Sequence, residues 1–207
     1  MKNSLGLYKQ YYVDKDFEQL GLFLALSEKY SIKNVLYPGS WVHITPSLVF
    51  PLVVYVDSDK RANIFFKDQA VYDYIRKNKT YLQEAQVGFH KSDYIKDFGE
   101  REDSFDLLIS LYAGFISQAC KKYLRIGGIL LVSNSHGDAG MASIDNDYRF
   151  VATYNRRKDR YALSEKNLES YFIPKSGIEV TRAYLEKVQR GIGYTRTATG
   201  YIFQRLR

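Results

Sequence analysis

The sequence predicts a doubly wound α/β domain built on a mostly parallel sheet, and three observations carry that expectation. Leu52–Val56 (LVVYV), Phe105–Ser110 (FDLLIS) and Ile129–Ser133 (ILLVS) are too continuously apolar for surface strands, because only strands covered on both faces tolerate such runs. Apolar residues at helical spacing recur between them, and strands alternating with helices favour parallel crossovers. Turn residues, Gly39 and the Gly127–Gly128 pair, stand where apolar runs end or begin.

The elements follow in order. A first helix is expected from about Asp16 to Tyr30, capped by Asp14 or Asp16, with Phe17, Leu20, Phe23 and Leu24 at helical spacing. Asn34–Tyr37 reads as the first strand and Leu52–Val56 as the second. Between them Thr45 followed by Pro46 is an N-cap and first-turn signal, and Pro51 ends that helix after little more than a turn. A helical region then runs from Asp59 to about Lys77, with Ala62, Phe65, Phe66, Ala70, Tyr74 and Ile75 on one side and Asp68 recapping it midway. Gln86–His90 is a weaker third strand and Phe105–Ser110 a strong fourth. A helix from about Ala113 to Leu124 leads into Arg125–Gly128 (RIGG), whose glycine pair turns the chain into the fifth strand. Further on, Tyr148–Tyr154 alternates like a strand and Asn155–Asp159 (NRRKD) looks like a turn. Ser164 caps a helix to about Phe172, another helix covers Val180–Gln189, and Ala198–Arg205 closes the chain as a strand.

Composition bounds the rest. With 207 residues, 45% of them hydrophobic, one domain with a substantial core is expected; folding buries about 70% of the unfolded surface at this size. The longest apolar runs are strand-sized and the first ten residues lack the apolar core of a signal peptide, so a soluble, cytoplasmic protein is expected, with no membrane partner. The lone Cys120 excludes an intrachain disulfide and reads as a buried thiol. Lys and Arg outnumber Asp and Glu by 30 to 23, with local clusters at Arg156, Arg157, Lys158 and Arg160 and at Lys187, Arg190, Arg196, Arg205 and Arg207. Such an excess suits an anionic partner, although many soluble proteins carry as much without binding one.

Two stretches carry candidate chemistry. Asn34–Asp59 runs strand, Gly39 turn, short helix, strand, acidic pair. That order builds a nucleotide site in an α/β sheet: the turn lets backbone approach the ligand, and a carboxylate at the end of the next strand accepts hydrogen bonds from ribose hydroxyls. Asp57 takes the ribose role in this reading and Asp59 the role of helix cap. The second stretch, Ser133–Met141 (SNSHGDAGM), follows the fifth strand, so Asn134, Ser135, His136 and Asp138 are expected at the same carboxyl edge as Gly39, Asp57 and Asp93. His136 with Asp138 two residues on is an acid/base pair in form, and Asn134, His136 and Asp138 are the candidate catalytic residues. Asp138 alternatively N-caps the residues that follow it. One histidine and one aspartate make an incomplete metal site, so no metal is expected. His43 either joins that cluster or hydrogen-bonds the loop around Thr45, and His90 reads as structural. A GxSxG elbow, a GxxxxGK[ST] loop and an HExxH helix are all absent from the sequence.

These residues resemble the class I, Rossmann-like S-adenosylmethionine-dependent methyltransferase superfamily over Ile32–Asn134. NVLYPGS is similar to its first strand and glycine turn, VVYVDSD to the second strand with its ribose-binding acid, and VGFHKSDY to the segment whose acid contacts adenine. FDLLISLYAG and LRIGGILLVSN are similar to the fourth strand and to the Gly-Gly turn into the fifth. The resemblance implies a seven-stranded sheet with an antiparallel final strand and S-adenosylmethionine as cofactor. Carried over, Pro38 shapes the turn, Gly39 and Ser40 lie beneath the methionine and ribose portion, and Asp57, followed by Ser58, binds the ribose. Asp93 then reaches the adenine amino group, and Leu111 and Tyr112 face the methionine part. The chain departs from the family in three places: Trp41 and His43 occupy later glycine positions of the turn, and Tyr37 replaces the common acid ending the first strand. A large ring there either fills the cofactor's space or stacks outside it. The fourth strand also ends in LYAG rather than the Asn-Pro-Pro-aromatic motif of amino methyltransferases, which disfavours DNA adenine methylation.

On this reading residues 1–207 form one domain, with an N-terminal helical segment at 1–31, a nucleotide-binding core at 32–134 and an acceptor-side part at 135–207. The function expected is methyl transfer to an unidentified acceptor, a small molecule or RNA. The alternative is a methyltransferase-like module that has lost catalysis and serves as a binding or scaffold unit, for which RNA is the candidate partner.

Overall fold

A computed structural model describes residues 4–158 and 160–207. The chain divides into two compact units, Met1–Gly99 and Glu100–Arg207.

The first unit centres on three parallel strands, β1 (Asn34–Pro38), β2 (Leu52–Val56) and β3 (Gln86–His90), with β2 in the middle. Their registers are level: Asn34 lies opposite Leu52 and Pro38 opposite Val56, while Leu52 lies opposite Gln86 and Val56 opposite His90. The carboxyl ends therefore finish in one row, and the ladder runs one residue further where the Gly39 N–H donates to the Val56 carbonyl and the Asp57 N–H to the His90 carbonyl. Val35, Leu36, Val53, Tyr55 and Val56 are all fully buried, which is the two-sided cover the apolar runs predict.

Helices α3 (Lys60–Phe65) and α4 (Gln69–Asn78) are the expected helical region, split where Asp68 recaps it. Asp59 accepts from the N–H groups of Arg61 and Ala62, and Asp68 from that of Ala70, each satisfying donors the first turn leaves open. The Thr45–Leu48 segment is a single 3-10 turn with Pro46 in its first positions. Its N-cap is Ile44 rather than Thr45, because the Thr45 hydroxyl is engaged with Tyr8 Oη at 2.9 Å.

The N-terminal segment differs from expectation. A short helix α1 (Leu5–Tyr8) runs into a π-helical turn over Lys9–Val13, and the next helix, α2 (Leu20–Lys29), starts four residues later than predicted, after Gln19 in a left-handed conformation. Asp14 and Asp16 therefore do not cap it.

The second unit pairs β4 (Phe105–Ser110) in parallel with β5 (Leu124–Val132). Phe105 lies opposite Leu124 but Leu107 opposite Ile129, so Arg125–Gly128 bulges out of a strand that begins earlier than predicted. Gly127, at φ +79°, supplies the left-handed residue that the bulge requires. The closing strand, β8 (Gly200–Arg205), runs antiparallel to both β5 and β6 (Tyr148–Arg157), and β6 forms a hairpin with β7 (Arg160–Ser164). The resemblance implies seven strands, whereas the described residues form eight, because β7 lies between the segment read as a turn and the helix expected from Ser164, where no strand is predicted. Asp159 lies outside the described residues.

Three helices of this unit also differ from the reading. The expected helix over Ala113–Leu124 reduces to α5 (Ile116–Ala119) and a 3-10 turn at Lys121–Tyr123, with fully buried Cys120 between them. The helix expected from Ser164 to Phe172 is a 3-10 turn at Leu168–Ser170. A six-residue α6 (Asp138–Ser143) follows β5, and α7 (Arg182–Val188) lies where the second C-terminal helix is predicted, capped by the Thr181 hydroxyl. Among the described residues no helix is long and apolar enough to cross a membrane.

Candidate functional site

The row of strand ends in the first unit positions the site. Pro38 is buried as the last residue of β1 and pairs with Val56. The chain then turns through Gly39 at φ +63° and, two residues on, through Trp41 at φ +47°. A left-handed tryptophan is costly, since a side chain there crowds the following carbonyl by roughly 1–2 kcal/mol. A compensating bond is present: the Trp41 N–H donates to Asp57 Oδ2 at 2.7 Å, while the Asp59 N–H donates to Asp57 Oδ1 at 2.8 Å. The half-buried Asp57 carboxylate thus ties the turn after β1 to the start of α3. A carboxylate offers about four lone-pair sites, so two remain for other donors.

Beside this staple lies a cleft of about 420 Å³ lined by Tyr11, Trp41, Asp57, Asp59 and Arg61. The Tyr11 ring stands edge-on to Trp41, with centroids 4.8 Å apart at 87°, and the Arg61 guanidinium lies 5.1 Å from the Trp41 ring centre. Asp59 meets Arg61 at 3.1 Å, and that hydrogen bond holds the Asp59 carboxyl below its ordinary range. Two buried polar atoms at the turn, Ser40 Oγ and Trp41 Nε1, lack a hydrogen-bond partner among the described residues. Unsatisfied donors of this kind are uncommon in folded proteins.

The Trp41 ring therefore stands as a wall of the cleft. His43 is fully buried: Tyr12 stacks on it at 4.3 Å with planes 6° apart, its Nε2 lies 2.9 Å from the Glu18 carbonyl, and its Nδ1 lies 3.1 Å from Tyr37 Oη. A carbonyl only accepts, so Nε2 carries the hydrogen and Nδ1 receives the Tyr37 hydroxyl. Burial pushes its pKa down to about 4, and the ring is neutral. His43 is accordingly a core residue that bonds Glu18 and Tyr37 rather than the loop around Thr45, and Tyr37 is its partner in place of a carboxylate.

Ser58 is exposed. Asp93, also exposed, folds its carboxylate back onto the Ile95 N–H at 3.1 Å and is not among the cleft's lining residues.

No family model matches the chain, and no curated protein matches its sequence. Among solved structures, the O-methyltransferase from Bacillus cereus in complex with SAH superposes with a TM-score of 0.51 at 12% identity, covering 79% of this chain and 89% of that one. The fold is that of the class I methyltransferases. A methyltransferase from Geobacter sulfurreducens gives a TM-score of 0.48 at 14% identity, with the same coverages of 79% and 89%. Within the methyltransferase fold the cleft beside Gly39 and Asp57 stands at the carboxyl ends of β1 and β2, the edge at which open α/β sheets take their ligands.

In the second unit Leu111 is buried and Tyr112 is 42% exposed. The loop after β5 is fastened by its neighbours, with the Gly191 N–H donating to the Ser135 carbonyl at 3.4 Å and Asn134 Nδ2 to the Ile192 carbonyl at 3.2 Å. His136 is exposed, and its Nδ1 lies 3.0 Å from Ser135 Oγ.

Asp138 requires a correction. It is 1% exposed, and its carboxylate accepts from the hydroxyls of Ser110 and Ser117 and from the Ser117 N–H at 2.9 Å. It therefore caps the start of α5 from across the unit and is no acid/base partner for His136, nor a cap of its own helix. Burial raises its pKa to about 6.

Sequence reasoning missed Tyr11 and Arg61. Tyr11 lies in the π-helical turn, where the Asp14 N–H donates five residues back to the Lys9 carbonyl at 2.8 Å; no periodic pattern announces such a turn, although π segments are frequent at functional sites. Arg61 had a usable signal, since it lies in the first turn of the helix, four residues after Asp57.

Proposed function

We propose that this chain binds S-adenosylmethionine in the cleft of the first unit and is a methyltransferase. The observation that carries the reading is the Asp57 carboxylate at the end of β2, held by two backbone N–H groups with two acceptor sites left over. A ribose cis-diol offers two hydroxyl donors to such a group, and hydrogen bonds to a charged acceptor contribute about 1.5–3 kcal/mol. The chain's residues fit the rest of the ligand. Trp41 and Tyr11 supply aromatic surface for the adenine, and the orphaned Ser40 Oγ and Trp41 Nε1 supply donors. Asp57 and Asp59 against the single Arg61 leave the lining net negative, which suits a cationic sulfonium. The bound SAH of the Bacillus cereus protein supports this choice of ligand.

The cofactor supplies an already activated methyl group, so the protein's work is to bind, orient and exclude water. Asp57 fixes the turn and the ribose, Trp41 the adenine, and Arg61 braces the tryptophan ring. Equilibrium dialysis against methyl-labelled S-adenosylmethionine, followed by a search for label transfer to hydroxyl and amine compounds, tests the proposal. Binding without transfer to any acceptor leaves a ligand-binding module.

A second reading has its own observation. At the end of the β6–β7 hairpin Arg157 lies opposite Arg160, with Lys158 beside them, and none of the three forms an ion pair among the described residues. Like charges directly opposite one another destabilise a hairpin, so an anionic partner such as RNA relieves them. Salt-dependent retention of single-stranded RNA, lost on replacing these three residues, supports that module.

A further inference from the structure

The loop after β5 contains a chain of hydrogen bonds whose protons can be counted one by one. The Ser133 hydroxyl donates to the Leu111 carbonyl. Ser135 Oγ lies 3.0 Å from Ser133 Oγ, 3.2 Å from the same carbonyl and 3.0 Å from His136 Nδ1. Each hydroxyl has one hydrogen, and the carbonyl only accepts. Ser133 uses its hydrogen on Leu111. If Ser135 gave its own to His136 Nδ1, its contacts with Ser133 and the carbonyl would carry no hydrogen, and two bonds would form in all. If Nδ1 carries the hydrogen instead, Ser135 accepts from the imidazole and still donates to Ser133 or to Leu111. Three bonds then form.

We infer that Ser133 and Ser135 are positioning residues that hold His136 in its Nδ1–H tautomer, making Nε2 on this exposed ring the proton acceptor for a hydroxyl-bearing substrate. The tautomer of a histidine is set by the partner of its other nitrogen, and here that partner is a serine anchored to the backbone just after β4. A hydroxyl is the group with most need of such a base. A neutral amine already offers its lone pair, whereas an alcohol or phenol oxygen becomes a strong nucleophile as its proton leaves. The O–H bond breaks with its electron pair kept on oxygen, the proton forms the Nε2–H bond, and the imidazolium returns it to water. What the oxyanion then attacks rests on the methyltransferase reading. The tautomer does not.

The chain carries its own reference, because His43 donates from Nε2 to the Glu18 carbonyl and has the opposite tautomer. Long-range proton–nitrogen spectra of the 15N-labelled protein at about pH 8.5, where imidazoles are neutral, test the assignment directly, with His136→Gln identifying the resonance. The expected result is an Nδ1–H pattern for His136 and an Nε2–H pattern for His43. Ser135→Ala abolishes the His136 preference and Ser135→Thr restores it. An Nε2–H pattern for His136 in the wild type, or one unchanged in Ser135→Ala, overturns the inference. The acceptor class is tested with labelled S-adenosylmethionine and a matched phenol and aniline, with transfer to the phenol expected. Transfer to the aniline alone, or to neither, removes the hydroxyl acceptor while the spectra still decide the tautomer.

Discussion

The backbone N–H of Trp41 donates to the Asp57 carboxylate at 2.7 Å, joining a left-handed residue of the turn after β1 to the acid that ends β2. The bond gives Asp57 two roles, one in the fold and one toward a ligand. An isolated ribose acid could be removed without harm to the turn, but this one cannot. We expect Asp57→Ala to lower stability by about 1–2 kcal/mol, because the N–H groups of Trp41 and Asp59 lose their acceptor, and to weaken adenosyl ligand binding by about 1.5–3 kcal/mol. Urea denaturation and calorimetry of the same variant separate the two effects. Unchanged stability would show that the turn holds without the carboxylate.

Trp41→Gly tests whether the ring is a wall or a plug. Glycine adopts the +47° backbone angle without strain, so the fold is retained. If the indole stacks on a base, its loss costs about 1–3 kcal/mol of binding. A gain in affinity would mean that the ring occupies the ligand's space.

Asp138→Ala leaves the Ser110 and Ser117 hydroxyls and the Ser117 N–H without their acceptor in the core. A loss of about 3 kcal/mol is expected, and Asp138→Asn, which keeps one acceptor oxygen, should lose less. Equal denaturation midpoints for wild type and Asp138→Ala would contradict the capping role.

Two buried groups respond to acid with opposite sign. His43 titrates near 4 in the fold against 6.5 unfolded, so the unfolded chain gains a proton first and roughly 3 kcal/mol of stability is lost as pH falls from 6.5 to 4. Asp138 titrates near 6 in the fold against 3.8 unfolded, so the native state holds its proton in that same window and gains a similar amount. Removing the gain with Asp138→Asn should make the protein lose stability more steeply between pH 6.5 and 4 than the wild type does. Parallel pH profiles would contradict the assignment.

The buried parallel strands were legible because their physics is local and strong. A run such as Val53–Val56 has one use, cover on both faces, and the caps at Asp59 and Asp68 are read from residue type alone. What escaped depends on contacts distant in sequence. The π turn is held by Tyr8 reaching Thr45 and by Tyr12 stacking on His43, and no pattern within Leu5–Val13 encodes either. The stretch from Ala113 has helical apolar spacing, yet α5 begins only at Ile116, where Asp138, far along the chain, accepts from the Ser117 N–H. Asp138 itself looked catalytic because a polar loop residue is normally exposed, and only the serines at 110 and 117 make its burial tolerable. At the site, Asp57 and the Gly39 turn were readable from position, whereas Tyr11 reaches the cleft by tertiary packing.

The central claim is that the Asp57 cleft holds an adenosyl ligand, and calorimetric titration of the wild type and of Asp57→Asn with S-adenosylhomocysteine tests it most directly. The account predicts saturable one-to-one binding by the wild type, weakened at least tenfold in a folded Asp57→Asn variant. Absence of binding by the wild type, or equal affinity in the two proteins, would contradict it.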